Sequence, residues 1–142
     1  MLTAIDHVGV AVESIDSALA LYRDQLGMPM VHRETVAEQG VDAVLLDVGD
    51  GHVELLAPLG PDTAVGKFLA RRGEGIHHIG YGVADIKAAL VTIGGTSGGS
   101  RGGVRLIDER PRHGSLGASI AFLHPADLGG VLTELVQSAS TV

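Results

Sequence analysis

The sequence predicts an α+β fold made of two βαβββ modules in tandem, and three observations carry that prediction. An apolar motif occurs twice, each copy moves from strand-like to helical apolar spacing, and short glycine-bearing turns divide the remainder of each copy into further strands. Ile5-Asp6-His7-Val8-Gly9-Val10-Ala11-Val12 returns as Ile76-His77-His78-Ile79-Gly80-Tyr81-Gly82-Val83, with Ile15 over Ile86 and Leu19 over Leu90 in the same register. Internal repetition of this kind defines the architecture before any single element does. The chain, residues 1–142, is read as one domain, with module one over 1–58, a linking helix within 59–73 and module two over 74–137.

Each repeat opens on a strand. Beyond Glu13 the apolar residues fall at Ile15, Ala18, Leu19 and Tyr22, a helical spacing that predicts a helix over 14–26, with Ser14 in one copy and Asp85 in the other placed to cap it. Strands are then expected over 28–37, 41–48 and 52–57, separated by Gln39-Gly40 and by Gly49-Asp50-Gly51, a meander that ends in a hairpin. Pro58-Leu59-Gly60-Pro61 breaks the pattern, and Val65, Phe68 and Leu69 mark a short helix over 63–71. In the second copy the helix begins near Asp85, and strands are expected over 104–108, 118–123 and 131–136. The closing motif Val53-Glu54-Leu55-Leu56 matches Thr133-Glu134-Leu135-Val136. The extra length of the second copy lies in 94–103, a run of Gly, Ser and Thr interrupted only by Arg101, with the composition of a flexible surface loop.

Composition narrows the function. The 142 residues carry a formal charge of −7 and only two Tyr, two Phe and no Trp, which supplies neither the basic footprint nor the stacking surface of a nucleic-acid binder. No apolar run approaches the length of a membrane span, and the N-terminal residues have no export pattern, so a cytoplasmic location is expected. With no cysteine, a thiolate nucleophile, a disulfide framework and Cys-ligated metals are excluded, leaving His, Asp and Glu as strong ligands.

Two polar positions repeat inside apolar strands: His7 with His78, and Glu54 with Glu134. A carboxylate flanked by Val53 and Leu55, or by Thr133 and Leu135, needs water, a positive partner or a metal. If the modules are related by a pseudo-twofold axis, the two imidazoles and two carboxylates line one cavity and suit a divalent Mn, Fe, Co, Ni or Zn ion. Taken singly, each is more commonly a solvent-facing or structural residue of an antiparallel strand; the joint repetition favours ligands. His77 alternates away from His78 and reads as structural, and His52 reads as a neighbour of the turn. His124 is a candidate for orienting a ligand or touching substrate, with a solvated turn residue the alternative; His32 and His113 have no assigned place. Lys67, Arg71 and Arg72, with Arg101, Arg105, Arg110 and Arg112, concentrate basic charge that could steer an anionic substrate, and solubilising surface arginines would look the same.

The paired strands IDHVGVAV and IHHIGYGV, the stretch VELLAPLGPDTAVGKFLARRGEGIHHIGYGVADI and the ending IAFLHPADLGGVLTELVQ resemble the methylmalonyl-CoA epimerase family of the vicinal oxygen chelate (glyoxalase) superfamily. The resemblance implies a cupped mixed sheet around one divalent metal ion, Co²⁺ foremost, with His7, Glu54, His78 and Glu134 on the ligand positions. It implies an isomerase of propionate metabolism that interconverts (2R)- and (2S)-methylmalonyl-CoA through a metal-stabilised enolate. It further implies an acyl-CoA substrate, Glu134 as a catalytic acid–base group and a homodimer. Two departures from the family's pattern stand out. Ala43 occupies the place of a glutamate that several bacterial members carry after Gln-Gly, and Ala126 replaces a lysine after the FLHP proline. Asp42 brought inward by a bulge or register shift, Glu54 or a bound water as the second proton carrier, or a different activity are the alternatives that Ala43 opens. A glyoxalase I-type lyase acting on a glutathione hemithioacetal shares the His, Glu, His, Glu order. An extradiol dioxygenase fits less well because its triad has one carboxylate, and a non-catalytic binding protein of the same fold would need no metal.

Overall fold

The computed structural model describes residues 1–95 and 103–139. Most of the glycine-rich stretch, residues 96–102 with Arg101 among them, lies outside the described residues, and so do residues 140–142. Eight strands are hydrogen-bonded in the order β2-β3-β4-β1-β5-β8-β7-β6, a mixed sheet in an α+β chain. The chain divides into two compact units, His7–His77 and Met1–Asp6 with His78–Val142. β1 (Leu2–Ala11) therefore contributes its second half to the first unit and its first half to the other.

In the unit His7–His77, β1 is followed by α1 (Ile15–Leu19), β2 (Met30–Val36), β3 (Val41–Val48), β4 (Gly51–Pro58) and α2 (Ala64–Arg72). The expected cap at Ser14 forms, its side chain accepting from the Ser17 N–H, and the Thr63 side chain caps α2 in the same way by accepting from the Gly66 N–H, each satisfying a donor that a helix start leaves open. The helix expected over 14–26 is α-helical only to Leu19; Ala20–Gln25 continue as a wider π-helical turn, in which the Leu26 N–H reaches back to the Leu21 carbonyl at 2.9 Å. β4 runs parallel to β1 and antiparallel to β3, which is antiparallel to β2. Gly40, at φ +69, ends the helical turn between β2 and β3 in the left-handed conformation that glycine adopts without strain.

The ladders sort this unit's side chains onto two faces. Val44, Leu46, Leu55 and Ala57 pack with Val12, Ile15, Ala18 and Leu19 beneath α1. Ala11, Val36, Val41, Ala43 and Leu56 pack with Val65 of α2 on the other face. Burial of each large aliphatic side chain contributes about 1.5–3 kcal/mol.

The other unit contains β5 (Gly75–Val83) from His78 onward, α3 (Ile86–Gly94), β6 (Arg112–His113), β7 (Ser119–Leu123) and β8 (Thr133–Gln137). Asp85 caps α3 by accepting from the Ala88 N–H, and the Gln137 side chain accepts from the Ile86 N–H at 2.9 Å, tying the helix start to β8. Ile86, Ala89 and Leu90 pack on Ala121, Leu123 and Leu135, while Ala118, Ile120, Phe122 and Val136 form a cluster on the opposite face.

The strand expected over 104–108 does not form. Leu106 makes an isolated bridge to Leu123, and the N–H groups of Ile107 and Asp108 both donate to the Phe122 carbonyl, at 2.9 and 3.2 Å. The Asp108 carboxylate then accepts the Phe122 N–H at 2.9 Å. Two donors on one carbonyl, with a side chain where a backbone partner belongs, interrupt the ladder, so that the outer strand β6 is two residues long.

Candidate active site

Register determines which side chains share a face, because residues directly opposite one another in a ladder point the same way. In the first unit Leu45 pairs with Glu54 and Glu54 with Gly9, a row that puts Glu54 on the face of His7, Gly9 and Ala11, away from α1. His7 is 4% exposed and Glu54 9%, and His7 Nε2 lies 3.8 Å from Glu54 Oε1. In the other unit Phe122 pairs with Glu134 and Glu134 with Gly80, the same row in the second copy. There His78 is 2% exposed, Glu134 3%, and His78 Nε2 lies 3.6 Å from Glu134 Oε2. Each unit thus buries one imidazole beside one carboxylate on corresponding strands.

The donor chemistry fits a metal. Both imidazole–carboxylate spacings exceed a hydrogen bond, and they approach the roughly 3–3.5 Å expected of a nitrogen and an oxygen that each lie about 2.1 Å from one ion. His7, Glu54 and His78 are side chains able to hold a metal ion. Nitrogen and carboxylate oxygen together suit several divalent first-row ions and choose none of them. The Phe122 ring, on β7 one strand beyond β8, meets the His78 imidazole in a T-shaped contact with ring centroids 5.4 Å apart.

Asp42 does not replace the side chain missing at Ala43. The β3–β4 ladder is regular through Val41, Asp42 and Ala43, which leaves Ala43 on the Glu54 face and Asp42 on the face of α1. There Asp42 accepts from Arg33 Nη2 at 3.0 Å, and Arg33 also meets Asp16 of α1 at 3.6 Å. Ala43 itself is 3% exposed.

Other sequence candidates take structural places. His77 makes a T-shaped ring contact with Phe68, centroids 5.0 Å apart, and burial pushes its imidazole below the usual histidine range. His124 is a cap: its Nδ1 accepts from the Ala126 N–H at 3.1 Å, opening the turn Pro125–Asp127. His52 lies on the Glu54 face and meets Asp47 at 3.0 Å beside the hairpin. Two of the grouped arginines are in ion pairs, Arg105 with Asp127 and Arg112 with Asp108. What sequence reasoning missed is Glu34, which bonds His32; the visible signal was a His-x-Glu spacing on one strand.

Comparison with known proteins defines the class to which this arrangement belongs. The Glyoxalase/Bleomycin resistance protein/Dioxygenase superfamily matches residues 6–122. Human mitochondrial methylmalonyl-CoA epimerase is 35% identical over 138 residues, covering 96% of this chain and 75% of the relative. A solved methylmalonyl-CoA epimerase in complex with methylmalonyl-CoA and NH4+ is 44% identical, covers 99% of this chain and 97% of its own, and superposes with a TM-score of 0.89. The Mycobacterium tuberculosis methylmalonyl-CoA epimerase structure is 40% identical, with 98% and 90% coverage and a TM-score of 0.90. The chain belongs to the methylmalonyl-CoA epimerase family of that superfamily.

Proposed function

We propose that this chain is an enzyme that interconverts (2R)- and (2S)-methylmalonyl-CoA by 1,1-proton transfer at C2. The observation that carries the reading is the near-full-length likeness, at 44% identity, to an epimerase whose structure holds methylmalonyl-CoA. A glyoxalase I-type reaction has no comparable support, because the epimerases resemble this chain throughout. A relative from Cereibacter sphaeroides, named ethylmalonyl-CoA/methylmalonyl-CoA epimerase, is 34% identical with 96% and 99% coverage, which makes ethylmalonyl-CoA the second substrate to test.

His7, Glu54, His78 and Glu134 are the proposed ligands of one divalent ion, with Co²⁺ first and Mn²⁺, Zn²⁺, Ni²⁺ and Fe²⁺ as alternatives. Support comes from their burial, the equivalent rows they occupy in the two copies and the donor types. When bound, the ion supplies positive charge against the oxygens on which negative charge gathers as the α-proton leaves. Glu134 is the proposed carrier of that proton: an acid–base group in a dry setting, held on β8 beside His78. Its own chemistry completes half of an epimerisation, because a proton returned by the same carboxylate restores the original epimer. The described residues include no helix long and apolar enough to cross a membrane; a cytoplasmic homodimer acting on acyl-CoA in propionate metabolism rests on the sequence pattern and the family.

Incubation of methylmalonyl-CoA in D₂O tests the reading by mass spectrometry. Deuterium should enter C2 rapidly with Co²⁺-loaded protein, and slow by about 10²-fold or more after chelation or in Glu134→Ala. Incorporation no faster than the uncatalysed rate, with metal bound, would overturn it.

A further inference from the structure

β2 carries an irregularity that changes what its side chains face. Met30 pairs with Leu46, but His32 pairs with Leu45, so two steps along β2 answer one step along β3, and Val31 is the extra residue of a bulge. Without it, His32 would stand opposite Val44, on the face packed under α1, and Glu34 would follow it there. A one-residue slip sends every later side chain to the other face. The observed ladder instead sets His32 opposite Leu45 and Glu34 opposite Ala43, and through β3 into the rows of Glu54 and Leu56. The bulge therefore delivers an imidazole and a carboxylate to the face that carries His7 and Glu54.

The two delivered groups are joined. His32 Nε2 lies 2.8 Å from Glu34 Oε1, with side chains 31% and 33% exposed, so both are half-sheltered and reachable. A carboxylate is an acceptor, so the Nε2 proton is donated to Glu34, which leaves Nδ1 as the ring atom that can take up a proton. His32 stands in the same row as Glu54, two strand spacings away, or about 9.6 Å between backbones. Leu45, half-buried, lies between them as an apolar floor. A further ionisable pair on this face, His52 with Asp47, is tied beside the hairpin, with His52 directly opposite His7.

We propose that His32 is the second proton carrier of the epimerisation and Glu34 its positioning residue, a role for which Ala43 offers no side chain; this rests on the epimerase reading. In one direction the C2–H bond of one epimer breaks, its electron pair passes into the enolate, and the proton goes to Nδ1. In the other, the imidazolium returns a proton to C2 and the C–H bond re-forms. Glu134 performs the same exchange for the opposite epimer, so atoms and electrons balance with no further reactant.

The test uses each pure epimer in D₂O with Co²⁺-loaded protein, following C2 deuteration and inversion separately. Wild type should deuterate both. His32→Ala should lose deuteration of one epimer by about 10²-fold or more, keep that of the other within a few-fold, and lose inversion; the retained half reports an intact fold and metal site. Added imidazole should restore the lost half, which a merely structural role would not permit. Glu34→Gln should lower kcat for that same epimer and leave its KM unchanged. Deuteration of both epimers by His32→Ala at the wild-type rate, or loss of both without rescue by imidazole, would overturn the assignment. A wild-type protein that deuterates neither epimer overturns the epimerase reading and this assignment with it.

Discussion

The two modules agree on their inner strands and differ on their outer one. Leu45–Glu54–Gly9 in the first and Phe122–Glu134–Gly80 in the second are the same row, with a buried imidazole on the opening strand of each. Outside these rows the likeness ends. The first module adds the seven-residue, bulged β2 with its His32–Glu34 pair, whereas the second adds a two-residue β6 after a ladder broken by Asp108. A proposed ligand position tolerates little displacement, because a buried carboxylate without a partner is costly. An edge strand is held by one neighbour only, so its register can move by a residue, and the two copies have used that freedom differently.

The sharpest way to break the comparison is to remove one proposed ligand from each module. His7→Ala and His78→Ala should each lower metal affinity by tenfold or more and reduce the epimerase rate to a similar extent, as measured by metal titration and turnover. Glu54→Gln, which keeps an oxygen donor, should retain metal far better than Glu54→Ala. A large effect confined to one module would show that the repeat is structural in the other.

Much of this was legible in the sequence for a physical reason. Burial on one face of an antiparallel strand demands alternation, and a His or Glu that interrupts it twice in the same register leaves a visible mark. The inner strands, the helix caps at Ser14 and Asp85 and the buried His7, Glu54, His78 and Glu134 all came from such local signals. The bulge at Val31 left no mark, because Val-His-Arg-Glu reads equally well with either parity and only the pairing with β3 decides it. The failure of 104–108 as a strand was equally hidden: its apolar spacing is regular, and what interrupts the ladder is one carboxylate competing for a backbone donor.

Packing offers a second comparison, intermediate in size. Leu55 and Leu135 follow the two glutamates, are 0% and 1% exposed, and support α1 and α3 respectively. Each Leu→Ala substitution should cost about 2–5 kcal/mol, measured as a lower denaturant midpoint. The helix starts should differ more. Ser14→Ala removes the side-chain cap of α1, at a cost of about 1 kcal/mol. Asp85→Ala should cost less, because the first N–H of α3 is held independently by Gln137. Asp85→Ala combined with Gln137→Leu should bring the loss up to at least that of Ser14→Ala.

The smallest expected effect concerns the approach to the irregular outer segment of the second module. Arg105 donates from Nε to Asp127 at 2.8 Å and from its backbone N–H to the same oxygen at 3.0 Å; these two bonds hold the Asp127 carboxyl down to about 2. A folded-state value below the unfolded one means that the unfolded chain takes up the proton first as pH falls. The contribution is therefore complete above about pH 4, the ordinary carboxylate value, and is lost as pH falls through about 2. Asp127→Asn retains an oxygen for the backbone N–H and removes only the charge. The stability difference between wild type and Asp127→Asn should be small and constant near neutrality and should fade below pH 4. It should also shrink in high salt, because both partners meet solvent and exposed pairs are screened. A difference that persists unchanged at pH 2 would mean that the turn after His124 is held by shape alone.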